Sequence, residues 1–148
     1  MTGRPVMILA GGTGGHVFPA LAVADELRRR SVPVVWMGTR KGLEARVVPA
    51  AGHTLEWLNV RGLRGKGLVG WFSAPLMLLR ALWQAARIVR RHRPRAVLGM
   101  GGYVAGPGAL AAWLLRRPLV IHEQNAIAGM TNRWLAKLAR RVLTGFDR

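Results

Sequence analysis

The chain is 148 residues long, 51% apolar and strongly basic, with 23 Lys and Arg against 6 Asp and Glu for a formal charge of +17. That is enough for one domain with a real core, and the charge implies a polyanionic neighbour such as a membrane leaflet, a nucleic acid or a phosphorylated substrate. The absence of cysteine excludes disulfides, thiolate metal sites and cysteine nucleophiles; the amino terminus shows no secretory pattern, its apolar run being short and leading straight into glycines.

Val6-Met7-Ile8-Leu9-Ala10 reads as a strand buried on both faces. It enters Gly11-Gly12-Thr13-Gly14-Gly15-His16, four glycines in six residues, and then a helix-like run to Arg30 with Leu21, Ala24 and Leu27 at helical spacing and Pro19 expected in the first turn. Strand, glycine turn and helix in succession aim unpaired N–H groups and a positive dipole end at whatever occupies the turn, which favours an anion, a plain tight turn being the other reading. His16 at the mouth of the turn is a candidate base, with a capping or positioning role as the other reading. An ordinary NAD fingerprint is excluded: Val17 stands where the third glycine of G-x-G-x-x-G belongs. The second strand, 33–37, also ends in Met37-Gly38-Thr39-Arg40 with no acid for a ribose. No Lys-Ser or Lys-Thr closes the turn as a P-loop.

Residues 41–48 predict a short helix stopped by Pro49, and 54–60 alternate as a third strand. The basic glycine loop Arg61-Gly62-Leu63-Arg64-Gly65-Lys66-Gly67 follows; with Arg40, Lys41 and Arg46 it forms a cationic group on the ligand side of the sheet. Arg28-Arg29-Arg30, Arg90-Arg91 with Arg93 and Arg95, Arg116-Arg117 and Arg140-Arg141 instead fall where helices give way to strands, on the opposite rim, where they complement helix carboxyl ends. A helix capped by Ser73 and opened by Pro75 is predicted next, with Leu76, Leu79, Leu82 or Trp83, Ala86 and Val89 as its core-facing stripe. Trp71-Phe72 beside the basic loop fits an interfacial membrane contact, simple packing of the two aromatics being the alternative.

Ala96-Val97-Leu98-Gly99 is a fourth strand, running into a second glycine turn, Gly101-Gly102-Tyr103, then Gly106-Pro107-Gly108 and a helix over 109–115. The uncharged span 96–115 is not a membrane helix, because its glycines and Pro107 would leave backbone groups unpaired in lipid. Leu119-Val120-Ile121 is a fifth strand ending in His122-Glu123-Gln124-Asn125, polar residues where an α/β fold places ligand contacts, with hydrogen bonding that ties the loop down as the other reading. Ala126 replaces the second histidine of a zinc-binding H-E-x-x-H. A last helix, 131–139, leads to the strand Val142-Leu143-Thr144. The alternation predicts a Rossmann-like, doubly wound parallel α/β sheet with two glycine turns facing one crevice.

Four motifs in order, Gly11-Gly12-Thr13-Gly14-Gly15-His16, Gly62-Leu63-Arg64-Gly65-Lys66-Gly67, Gly99-Met100-Gly101-Gly102-Tyr103, and His122-Glu123-Gln124-Asn125 with Gly129-Met130-Thr131-Asn132, resemble the MurG family of peptidoglycan N-acetylglucosaminyltransferases. The resemblance implies the amino-terminal half of a two-domain GT-B enzyme. Residues 1–148 would be the acceptor-side domain, with the carboxy-terminal donor-binding domain outside this chain and the chain inactive alone. Such enzymes move N-acetylglucosamine from UDP-GlcNAc to the C4 hydroxyl of the muramoyl sugar on a lipid diphosphate, lipid I to lipid II, with inversion. They act peripherally at the cytoplasmic face of the cell inner membrane in cell-wall biogenesis, and need neither metal nor cofactor, UDP-GlcNAc being a substrate. By the same resemblance Thr13, Gly14, Gly15 and Asn125 touch the donor and His16 is the catalytic base. Gly101, Gly102 and Tyr103, with Glu123 and Gln124, line the acceptor side. Trp71, Phe72, Arg61, Arg64 and Lys66 meet an anionic membrane surface.

Two other readings stand beside it. One is an NADP-binding domain with Arg40 and Lys41 on the 2′-phosphate. The other is a basic nucleic-acid-binding module suggested by charge and six tryptophans, which leaves the glycine turns unexplained.

Overall fold

The computed structural model describes residues 3–60 and 67–146. Strands and helices alternate through them: β1 (Val6–Ala10), α1 (Gly14–Arg29), β2 (Val34–Gly38), α2 (Glu44–Ala50), β3 (Thr54–Trp57), α3 (Leu68–His92), β4 (Ala96–Gly101), α4 (Ala105–Leu114), β5 (Leu119–Glu123), α5 (Met130–Leu135) and β6 (Arg141–Thr144). The sheet is parallel throughout, in the order β3-β2-β1-β4-β5-β6. This is the doubly wound Rossmann-like arrangement expected, with the winding reversing between β1 and β4.

Burial on both faces explains the unbroken apolar strands. Met7 and Leu9 of β1 join Val35, Met37, Val97, Leu119 and Ile121 in a core shared with α3 and α4, while Ile8, Ala10, Trp36 and Met100 pack on Val17, Ala20 and Ala24 of α1. A strand covered on both sides has no position left for a polar residue. Trp36 is fully buried, and its indole N–H donates to the Ala10 carbonyl at 2.8 Å.

Several boundaries differ from the sequence expectation. α1 begins at Gly14, so Pro19 lies in its second turn; lacking an N–H, it leaves the Gly15 carbonyl without its helical partner. α2 starts at Glu44 and runs through Pro49, and β3 stops at Trp57. α4 starts at Ala105 and absorbs Gly106-Pro107-Gly108, because a proline in a first turn gives up an N–H that has no helical acceptor anyway. α5 ends at Leu135.

The largest difference is in α3. It starts at Leu68, so Ser73 is inside it, its hydroxyl donating to the Gly70 carbonyl at 3.0 Å, and caps nothing. Its buried stripe is Ala74, Ala81, Ala85, Ile88 and Val89; Leu82 and Ala86 are half-buried against the core, while Leu76, Leu79 and Trp83 are exposed. Small residues let α3 approach α4 closely, and the large side chains are left outside.

Arg28 and Arg29 lie in the last turn of α1 and Arg90 and Arg91 in that of α3, as a complement to helix carboxyl ends requires; Arg116 and Arg117 come just after α4, whereas Arg140 and Arg141 lie beyond α5 at the start of β6. Some are paired: Arg28 with Asp25 at 2.9 Å, and Arg91 with Glu56 at 3.2 Å.

Candidate functional site

The two glycine turns follow β1 and β4, so they flank the crevice where the sheet reverses. They are in contact. Gly102, at φ +91°, lies so close to Gly11 that a Cβ would overlap the Gly11 carbonyl oxygen, and Gly101 lies against His16, where a Cβ would be 2.5 Å from Nδ1. The β1–β4 register slips between Leu9 and Ala10, whose partners are Gly99 and Gly101; Met100 is left without a partner in β1, and the Gly11 N–H goes to the Gly101 oxygen. Gln124 reaches in from the end of β5. Its amide nitrogen lies 2.9 Å from the Gly15 oxygen, 3.0 Å from the Met100 oxygen and 2.8 Å from His16 Nδ1. Three segments far apart in the chain therefore meet around one half-buried imidazole.

The turn after β1 retains donors for an anion. The N–H groups of Thr13, Gly14 and Gly15 have no acceptor among the described residues, and they open the 16-residue helix α1. The Gly12 N–H is different, because it donates to Glu44 Oε2 at 3.0 Å. Glu44 is fully buried, and its Oε1 also accepts from the Thr39 amide at 2.7 Å and the Thr39 hydroxyl at 2.9 Å. Sequence reasoning passed over this residue; its one signal is an acid standing among Arg40, Lys41 and Arg46. A dinucleotide diphosphate laid on the Gly12 N–H would meet that carboxylate, which counts against the NADP reading. Arg40, assigned to the 2′-phosphate in that reading, stacks over Trp57 at 4.8 Å.

Glu123 follows the loop-tying reading of the run that ends β5. Rather than lining the acceptor side it is 3% exposed, its carboxylate turned into the following loop. It accepts from the Asn125 amide at 2.9 Å, the Asn125 side chain at 3.0 Å, the Gly129 amide at 3.0 Å and the Asn132 side chain at 2.9 Å. Burial pushes this carboxyl up, but the Asn125 N–H, the Asn132 amide, the Gly129 N–H and the Asn125 side chain outweigh it and hold its pKa below the ordinary value. Glu123 thus shapes the loop that presents Asn125. Buried Asn132, quoted in the last sequence motif but given no role, is its partner. Asn125, Thr13 and Tyr103 are exposed around the crevice.

Among the described residues no three histidine or acidic side chains come together to hold a metal. On α3, Trp71 and Phe72 are 64% and 85% exposed, flanked by exposed Leu68, Leu76, Leu79 and Trp83. A groove of about 300 Å3 between α3 and α4, lined by Leu79, Leu82, Trp83, Leu114 and Arg90, continues this apolar surface. Arg61, Arg64 and Lys66 lie outside the described residues. No described helix is long and apolar enough to cross a membrane.

Residues 6–144 match the glycosyltransferase family 28 N-terminal domain. The UDP-N-acetylglucosamine--N-acetylmuramyl-(pentapeptide) pyrophosphoryl-undecaprenol N-acetylglucosamine transferase of Alkalilimnicola ehrlichii is 77% identical over 96% of this chain and 40% of its own length. The protein of the same name from Nitrosococcus oceani is 65% identical over 95% of this chain and 39% of its own. The crystal structure of Acinetobacter baumannii MurG superposes with a TM-score of 0.88 at 44% identity, covering 98% of this chain and 42% of that one. The chain thus spans about two fifths of the length of the curated relatives it matches.

Proposed function

The chain belongs to the glycosyltransferase family 28 N-terminal domain family, and from that premise we propose that it is the acceptor-side half of a GT-B enzyme that builds a peptidoglycan precursor. The reaction is transfer of N-acetylglucosamine from UDP-GlcNAc to the C4 hydroxyl of a muramoyl sugar on a lipid diphosphate, with inversion. The observation that carries this reading is the meeting of both glycine turns and Gln124 around His16 at the sheet reversal. Bends without side chains let a sugar diphosphate approach the backbone, and the free N–H groups of Thr13, Gly14 and Gly15 suit its charge.

In this reading Thr13, Gly14, Gly15 and Asn125 face the donor, and Gly101, Gly102 and Tyr103 face the acceptor, with Gln124 joining the two sides. Glu123 acts from beneath by ordering the loop. His16 stands where the attacking hydroxyl meets the donor carbon, and holding both in line supplies much of the rate. A second Rossmann-like half completes the donor pocket, so these 148 residues bind acceptor without turning over. Trp71, Phe72 and their exposed leucine neighbours rest in an anionic leaflet, drawn by the charge of +17, which makes the enzyme peripheral at the cytoplasmic face of the inner membrane.

Titration of the chain with vesicles carrying the lipid-linked muramoyl acceptor, with UDP-GlcNAc and with NADPH tests the reading. Saturable binding of the acceptor that Gly102→Ala weakens is expected. Tight NADPH binding, or robust sugar transfer by this chain alone, would overturn it.

A further inference from the structure

We propose that Gln124 is a positioning residue that holds His16 as the neutral tautomer protonated at Nε2, so that the ring meets substrate as a hydrogen-bond donor. Two backbone carbonyls fix the amide. Pro19 has no N–H to give the Gly15 oxygen, the register slip skips Met100 and sends the Gly11 N–H to the Gly101 oxygen, and the Gln124 nitrogen lies 2.9 and 3.0 Å from the Gly15 and Met100 oxygens. An amide oxygen in its place would face two carbonyl oxygens, so the NH2 group has one tenable orientation. Gln124 Oε1 correspondingly points to His122 Nδ1, 3.4 Å away, from which it accepts.

His16 Nδ1 lies 2.8 Å from that same NH2 group. The NH2 group has two hydrogens for three acceptors, the two carbonyl oxygens and Nδ1, so one hydrogen is shared; a proton on Nδ1 would point at a nitrogen with no lone pair to offer, so Nδ1 is an acceptor and the neutral ring carries its proton on Nε2. Gly101 closes the Nδ1 edge, while Nε2 has no partner among the described residues. In the transfer reaction proposed above, on which this last step rests, Nε2–H donates to an oxygen of the bound sugar diphosphate. The same nitrogen cannot then take the hydroxyl proton, the role that the sequence alone suggested for the ring.

Long-range 1H–15N spectra of the chain labelled at histidine, recorded above the imidazole titration range, read the tautomer directly. The expected result is a single Nε2–H form for His16, both forms in Gln124→Leu, and a proton shifted to Nδ1 in Gln124→Glu, whose carboxylate accepts it. Nδ1–H in the unaltered chain overturns the proposal without reference to any variant, as does a tautomer indifferent to both substitutions in variants whose His53 signals are native. In a complete transferase carrying this domain, His16→Gln keeps a donor but no basic nitrogen. It should retain transfer within about tenfold while His16→Ala loses about a hundredfold or more; equal losses overturn the donor role. If the unaltered enzyme transfers nothing, the proposed function fails and the tautomer stands.

Discussion

Gly102 packs its α-carbon on the carbonyl of Gly11 so closely that even a methyl group there would overlap the oxygen. At this point the turn after β4 is seated on the turn after β1 main chain to main chain, with the His16 ring against Gly101 and the Gln124 side chain bridging the two turns beside it. Gly102→Ala should destabilise the chain by about 2–4 kcal/mol, from a left-handed backbone that disfavours a Cβ and an overlap with main chain that cannot rotate away. Gly12→Ala is the control: its φ is +93° but a Cβ there meets nothing within 4 Å, so only the backbone penalty of about 1–2 kcal/mol applies. Urea denaturation of both variants checks the difference, and equal losses would sink the packing account.

Glu123 makes part of the stability acid-sensitive. Its folded pKa lies below the ordinary value, so the unfolded chain binds the proton first as pH falls. The stabilisation is complete above about pH 4.3, the ordinary glutamate value, and is lost as pH drops through the lower folded value. Glu123→Gln should cost about 1–3 kcal/mol near neutrality and flatten the decline of stability in acid. Denaturant titrations at a series of pH values measure both, and an unaltered acid slope in the variant would show that the carboxylate is not the cause.

Much of this was legible in the chain because a parallel sheet covered on both faces writes itself as short unbroken apolar runs, each ending in glycine or polar residues at the ligand edge. The recurrence of strand, glycine turn and helix therefore located the crevice. On α3 periodicity held for Leu82, Ala86 and Val89 and failed for Leu76, Leu79 and Trp83: the helix carries both an alanine stripe and a leucine and tryptophan stripe, and which of them faces inward depends on the surface of α4, unseen in a local window. Glu44 was missed, and Glu123 stayed between a ligand contact and a loop tie, for a related reason. An acid near a site serves substrate or its own backbone according to which N–H groups the fold brings to it, and here the donors include Gly12 and Thr39 for one and Gly129 for the other. The Gln124 contact needed a proline and a register slip beside its two carbonyls.

Glu44 holds the glycine turn to the end of β2, and its removal should be felt at both places. Glu44→Ala orphans the Gly12 amide, the Thr39 amide and the Thr39 hydroxyl and opens a cavity, costing about 3 kcal/mol or more. Glu44→Gln retains the volume but turns an NH2 group on one of those donors, costing about 1–3 kcal/mol. Hydrogen exchange at Gly12 and Thr39 should quicken in both variants. Protection and midpoint unchanged in Glu44→Gln would mean that the three bonds contribute nothing.

Trp71 and Phe72 offer a separation of fold from membrane affinity. Both are largely exposed, so replacing each with serine should change stability by no more than about 0.5 kcal/mol. Each aromatic that leaves an interface forfeits on the order of 1–2 kcal/mol of apolar burial, or roughly tenfold in vesicle partitioning. On neutral vesicles the double variant should lose nearly all binding, since aromatic burial is the main attraction there. On anionic vesicles at low salt it should keep a residual affinity from the basic surface, which fades as salt shortens the screening length. Sedimentation with the two vesicle types at two salt concentrations gives the four numbers needed. Binding by the double variant equal to that of the unaltered chain on both lipids would remove α3 from the membrane contact.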